Sequence, residues 1–467
     1  MVHARFVLVL FGLFGADSLL AAGDLALPGA SLSLLWAVPF AGTLLSLAIC
    51  PLVVPGLWHH HYGKIMAFWT LTICAGLLSY GWQSALYELL HLTLMHYIPF
   101  VVLVGALYTI AGGLRVTLNV PGTPAINTLL LFLGALAAGV MGTTGAAMLF
   151  IKPILDINEG RASCTHTIIF FIFIVCNVGG ALSTLGDPPL FLGFLSGVDF
   201  FWPTQHLWPE TLAVLAALLV MYWAIDTWQF SKHGYVFEKK KHVRLVSFAG
   251  KRNFYFLGGA VALVLMSGFW KSGITFTVFH VHLALQDIIR DTGLLALIYA
   301  SWRFGPKDAR HANHFSWGPF EEVAKLFIAI FITAAPVIAI LKAGEAGALS
   351  TIVQIVNKGG APVDGAYFWL SGILSAFLDN APTYLVFFNL AGGQPETLMG
   401  PLASTLTAFS LGSVFMGAMT YIGNAPNFMV KAIAQNHAVQ MPSFFGYLAW
   451  SCGLLLPLFL ILSLILF

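Results

Sequence analysis

Charge is what this chain lacks. Asp, Glu, Lys and Arg make up only 9% of its 467 residues, whereas a soluble domain carries about 25%. So few charges exclude a water-solvated globular domain, and with 59% hydrophobic residues the expected fold class is an all-α polytopic membrane protein. Cysteine is sparse and scattered. Cys50, Cys74, Cys164, Cys176 and Cys452 form no Cys-x-x-Cys pair, which leaves them as small apolar residues in apolar runs. No phosphate-binding glycine loop, Ser/His/Asp order or metal-ligand spacing occurs, so neither an enzyme nor a cofactor is expected. The three adjacent histidines His59–His61 make a poor cage, so no transition metal is expected either. The formal net charge of +2 gives no basis for a nucleic-acid partner. What is abundant is Gly (46) and Phe (39), as where membrane helices pack closely and face lipid. The bilayer is the expected partner.

Residues 4–22 form a short apolar run ending in Ala21-Ala22-Gly23-Asp24. This is the pattern of a signal peptide, with an uncleaved first helix as the alternative. Spans are expected at 33–54, 65–82 and 97–113, with His59–Lys64 as a short inner loop. The run 125–155 is interrupted at Gly142-Thr143-Thr144-Gly145 and reads as a re-entrant hairpin. A crossing at 164–196 is broken at 183–189, and 210–227 returns. Segment 228–252 holds Lys232, Lys239, Lys240, Lys241, Arg244, Lys251 and Arg252, and the positive-inside rule makes it cytoplasmic. After a span at 253–270, Phe276–Ile289 reads as an amphipathic surface stretch. Arg303, Lys307 and Arg310 mark another inner loop. A span at 320–342 leads to a second hairpin, 366–392, split at Asp379-Asn380. Then follow a broken crossing at 403–436 and a last span at 446–466.

The stretch Ser183-Thr184-Leu185-Gly186-Asp187-Pro188-Pro189-Leu190-Phe191 is the centre of this pattern. A carboxylate, a glycine and two prolines inside an apolar run require a broken helix, tolerated in a membrane only where freed backbone faces protein or a polar cavity. Its sister is Thr420-Tyr421-Ile422-Gly423-Asn424-Ala425-Pro426-Asn427-Phe428, at an offset of 237. The hairpin interruptions overlay at 236, Met141-Gly142-Thr143-Thr144 on Phe377-Leu378-Asp379-Asn380. An inverted repeat follows, each half being span, hairpin and broken helix. The chain divides into 1–23, scaffold helices 24–96, a first repeat 97–209, linking helices and the basic loop 210–319, a second repeat 320–442 and a last helix 443–467.

Gly179-Gly180 followed by Ser183–Pro189 resembles the ion transporter superfamily. The nearest groups are the citrate-transporter-like and NhaD-type sodium/proton antiporter proteins, with arsenite permeases and pink-eyed-dilution proteins further off. Leu378–Pro382 and Gly423–Asn427 fit the same superfamily. The resemblance, over roughly residues 30–467, implies an elevator-type fold with a scaffold that forms a homodimer, in a bacterial inner membrane. The hairpin tips depart from the Ser-Asn-Thr type of the dicarboxylate carriers, so that substrate is not carried over.

Broken helices present carbonyls at one half-helix end and N–H groups at the other. Carbonyl and side-chain oxygens suit sodium. Candidate ion-binding side chains are Thr143, Thr144, Ser183, Thr184, Asp187, Asp379, Asn380, Thr383, Thr420, Asn424 and Asn427. The backbone breaks are assigned to Gly142, Gly145, Gly186, Pro188, Pro189, Pro382, Gly423 and Pro426. Burial favours a protonated carboxyl and a nearby cation favours the ionised form, so Asp187 and Asp379 supply a site where proton and sodium compete. Asp187 has the alternative role of N-cap to the helix opened by Pro188-Pro189. Asn177 reads as helix–helix glue, Asp226 and Glu322 as interfacial, and His96 and Lys342 as candidates for a proton path. No Arg or Lys falls within a break, Lys152 and Lys431 being several residues away. The leading expectation is a sodium/proton antiporter. The alternatives are a cation-coupled carrier of citrate or a similar acid, and an arsenite-type efflux permease.

Overall fold

The computed structural model describes residues 26–233, 245–313, 315–358 and 360–467. The expected signal peptide (1–23) and the heart of the basic segment (234–244) lie outside the described residues. The principal helices are α1 Val38–Val53, α2 Pro55–Leu77, α3 Trp82–Leu92, α4 Ile98–Gly112, α5 Pro124–Ile157, α6 Thr165–Ile174, α7 Pro188–Leu195, α8 Trp208–His233 and α9 Lys251–Phe269. Then come α10 Leu285–Phe304, α11 Lys307–Ala312, α12 Gly318–Lys342, α13 Asp364–Leu378, α14 Asn380–Leu390, α15 Ala403–Met416, α16 Ala425–Asn436 and α17 Phe444–Leu466. Six short strands pair as three two-stranded ladders. Among the described residues, nine helical stretches are long and apolar enough to cross a membrane. The protein is an all-α polytopic membrane protein.

Two compact units are present. The first takes residues up to 103, 262–295 and 318–354. Its core packs Leu27, Leu32, Leu77, Ala85, Leu92, Ala335 and Ile340. One expectation is corrected here. His59–Lys64 is not a loop: α2 runs through it, because Pro55 opens the helix and no further proline follows within it. Phe276–Ile289, expected as an amphipathic surface stretch, begins as the largely exposed β1 Thr275–Val278 paired with β2 Val281–Ala284, leading into α10. The β-branched run Thr275, Thr277, Val278 and Val281 favours strand, and the two-residue turn is made by Phe279 (φ 41°) and His280 (φ 64°).

The second unit takes residues 104–261, 296–317 and 355–467. Arg310, expected in an inner loop, lies on α11 instead, is buried there and donates to the carbonyls of Thr109 and Ser301. A cation near exposed carbonyls at helix ends is favoured by the helix dipole.

The two helical hairpins explain most of the second unit. Thr123 caps α5 through Ile126 N, with Pro124 in the first turn. The helix stops at Gly142, whose φ of 77° and ψ of 153° are non-helical. A straight helix of 34 residues would hold its ends about 50 Å apart. Instead Asn127 and Asn158 exchange two side-chain hydrogen bonds of 2.9 Å, so the arms lie antiparallel. In the second hairpin α13 ends and α14 begins at Asp379, with φ 84° and ψ 145°. Tyr367 and Phe387, from opposite arms, meet with ring centroids 6.0 Å apart.

The shared backbone turn corrects the sequence overlay by one residue. Gly142 corresponds to Asp379, not to Leu378, and the offset becomes 237, the same as between the two broken crossings. Gly145 and Pro382 are not breaks. Each lies inside the helix that resumes after the turn, and Pro382 is tolerated because it falls in the first turn of α14.

Candidate ion site

The two broken crossings repeat each other in backbone and in two of their hydroxyl hydrogen bonds. Ser183 and Thr420 are both extended, with φ/ψ of −157°/167° and −135°/168°. Ser183 Oγ donates to Gly139 O, and Thr420 Oγ1 donates to Ala376 O. The same hydroxyls accept from Leu185 N and Ile422 N, each at 3.1 Å. Gly186 and Gly423 pass so close to Gly180 and Gly417 that an added Cβ would stand 2.1 Å and 2.6 Å from their carbonyl oxygens. Only glycine fits such a backbone approach. Asp187 and Asn424 then open α7 and α16 from extended backbone, with Pro188, Pro189 and Pro426 in the first turns.

Neither Asp187 nor Asn424 caps its own helix. The N-cap role considered for Asp187 belongs to Asp379, whose carboxylate accepts from Ala381 N at 3.3 Å. Asp187 is free to be a junction. Its Oδ1 accepts from Thr143 Oγ1 at 2.9 Å and from Asn424 Nδ2 at 3.0 Å, and its Oδ2 accepts from Asn380 Nδ2. Thr143 N also donates to Gly186 O at 2.8 Å. The tips of both hairpins and the break of the second crossing therefore converge on one carboxylate, 2% exposed. All three side-chain partners are neutral. Among the described residues no Lys, Arg or His nitrogen lies within ion-pair distance of Asp187 or Asp379. Asn380 Oδ1 is buried with no hydrogen-bond partner, an oxygen without a donor beside the carboxylate.

A second layer backs the junction. Asn424 Nδ2 reaches Cys176 O at 2.9 Å and Asn177 Oδ1 at 3.3 Å. Asn177 Nδ2 donates to Asn427 Oδ1 at 2.9 Å, and Asn427 donates to Gly417 O and Thr420 O. The remaining candidates are spent locally. Thr184 Oγ1 donates to Phe200 O, Thr383 Oγ1 to Asp379 O, and Thr144 is half-buried outside the Asp187 bonds.

A family model, CitMHS_2, described as "Putative citrate transport", matches residues 29–467. The chain belongs to this family. An uncharacterized transporter of Mycobacterium bovis is 24% identical over 324 residues, 67% of this chain and 70% of that protein. An uncharacterized transporter of Mycobacterium tuberculosis matches to the same extent. This CitMHS_2 chain is an integral inner-membrane transporter, not an enzyme.

Asn177, read from the sequence as helix–helix glue, ties both broken crossings together. Sequence reasoning passed over the surroundings of Asp226, which was placed near a membrane end and is fully buried among protein side chains. It accepts from Arg161 and from His166 Nε2, both at 2.7 Å, and from Asn127 Nδ2 at 3.3 Å. Its partners come from three other segments, which no local pattern reveals.

Proposed function

We propose that the protein is an ion-coupled secondary transporter that exchanges sodium for protons. The observation that carries this reading is the Asp187 junction. A buried carboxylate held by neutral donors from both halves, with no basic side chain in reach, suits a cation or a proton rather than an anionic cargo. Asn380 Oδ1 and the carboxylates of Asp187 and Asp379 supply the hard oxygen donors that such an ion needs. A proton on either carboxylate removes the charge that attracts sodium, so the two compete. Thr143, Asn380 and Asn424 report that competition to both halves. The hairpins are read as re-entrant, the halves as an inverted repeat, and the transport step as elevator-type movement in a homodimer. The second reading is cation-coupled uptake of citrate, favoured by the family description. In it the same carboxylates hold the coupling ion.

The test is flux in proteoliposomes with sodium, lithium, citrate and arsenite side by side. Collapse of an imposed pH gradient on adding sodium or lithium supports the exchanger. Citrate accumulation without that response gives the second reading. Arsenite flux alone removes both.

A further inference from the structure

Asp226 holds the open end of the first hairpin, opposite the tip that carries Thr143. Asn127 begins one arm and Asn158 ends the other, and their amides interlock at 2.9 Å. Arg161 NH1 donates to Asn158 Oδ1 at 3.0 Å while its NH2 meets Asp226 Oδ1 at 2.7 Å. His166, at the start of α6, reaches the same oxygen, and Asn127 reaches Oδ2. The Arg161 and His166 side chains are 4% and 3% exposed and that of Asp226 is 0%. Asp226 stands on α8, outside both hairpin arms. One buried carboxylate thus joins both arms of the hairpin, α6 and α8.

The second hairpin is tied differently at the corresponding place. Asp364, 237 residues after Asn127, accepts from Ser404 Oγ and from Thr405 Oγ1 at 2.6 Å. That tie is half-exposed and, among the described residues, forms no ion pair.

We propose that Asp226, clamped by Arg161 and His166, is a positioning residue that fixes the first hairpin so that Thr143 is delivered to Asp187. The arms are rigid helices, so the geometry at the base sets the direction of the tip. A buried ion pair with further hydrogen bonds gives geometric specificity more than net stability. The transport part of the test rests on the ion-site reading above, and the distance part does not.

The experiment uses the full chain in lipid vesicles. Spin labels go on Val140→Cys, just before the tip, and Leu212→Cys on α8, both exposed positions, with the five native cysteines replaced. Asp226→Asn is expected to broaden the label-to-label distance distribution. It is also expected to raise the half-saturating sodium concentration roughly tenfold, as loss of a ligand-orienting partner does, at little change in maximal rate. Asp226→Glu should recover part of both. Because Asp226→Asn leaves Arg161 buried and unpaired, the double replacement Arg161→Met with Asp226→Leu serves as a variant that folds without the charges. It should show the same broadening. Parent-like distances in both folded variants overturn the proposal. Broadening in a protein that never responds to sodium keeps the clamp and removes the sodium reading.

Discussion

The two halves of the second unit share a backbone and divide the charges. At the hairpin turns, Gly142 and Asp379 hold the same left-handed dihedrals. At the breaks, Asp187 and Asn424 hold the same extended ones. At these four positions each half therefore carries one carboxylate, but the first half places it in the break and the second in the turn. The first arrangement costs nothing in backbone strain. The second puts a side chain where glycine is the natural occupant, at about 1–3 kcal/mol. What the comparison teaches is that backbone repetition builds a frame, and that the unequal filling of the frame sets where donors and carboxylate meet. Four identical polar positions would make a symmetric cage; one junction carboxylate with three neutral donors makes a site with a single centre.

The largest effect is expected where that centre is emptied. Asp187→Ala leaves the Thr143 and Asn380 donors buried without their acceptor, at about 1–3 kcal/mol each, whereas Asn424 Nδ2 keeps Cys176 O and Asn177 Oδ1. Transport should be lost and the melting temperature should fall, read by a thermal-shift assay on purified protein. Asp187→Asn should lose transport with a smaller loss of stability, since shape is kept. Parent-like exchange in Asp187→Asn would break the claim that the carboxylate placed in the first break is the centre of the site.

The next effect sets the two turns against each other. Gly142→Ala should destabilise by about 1–3 kcal/mol, because a residue with a Cβ is strained at its φ of 77°. Asp379→Gly should do the reverse and stabilise by about 1 kcal/mol by releasing the same strain, less its modest cap bond. If Asp379 is retained for ion chemistry, this more stable variant transports poorly. A fully active and more stable Asp379→Gly would make the carboxylate dispensable.

Dependence on pH sharpens the pairing of proton with cation. A protonated carboxylate does not attract sodium, so the half-saturating sodium concentration should rise as pH falls. With one-for-one competition the rise is about tenfold per pH unit below the point where the site protonates. Measuring exchange rates over a sodium series at several pH values checks the slope. A flat profile would mean that the carboxylates do not exchange protons in the cycle.

The smallest effect is expected at the base of the second hairpin. Asp364→Asn weakens a half-exposed tie to Ser404 and Thr405, at about 1 kcal/mol or less. Breaking the Asp226 clamp by Asp226→Ala should cost about 3–5 kcal/mol, as removal of one partner of a buried ion pair does. Equal losses at the two bases, by the same thermal-shift assay, would erase the difference drawn between them.

Sequence by itself determined the membrane class, the two hairpins, the two breaks and most of the residues now found at the junction. Each of these is a local property. Scarce charge, long apolar runs and a proline or glycine inside them depend only on neighbours a few residues away. Even the repeat was legible, because Gly186, Pro189 and Phe191 recur at Gly423, Pro426 and Phe428. The register of the hairpins was off by one, because Gly142 and Asp379 share a conformation and not a residue type. Tertiary structure alone decided which carboxylate caps a helix and which collects donors. Asp187 and Asp379 look equivalent in sequence, and their roles depend on partners such as Asn424, 237 positions from Asp187. It also decided that Asp226 is buried within the protein, since Asn127, Arg161 and His166 reach it from other segments. A hydrogen bond is fixed by where the atoms meet, and that meeting is set by the packing of whole helices.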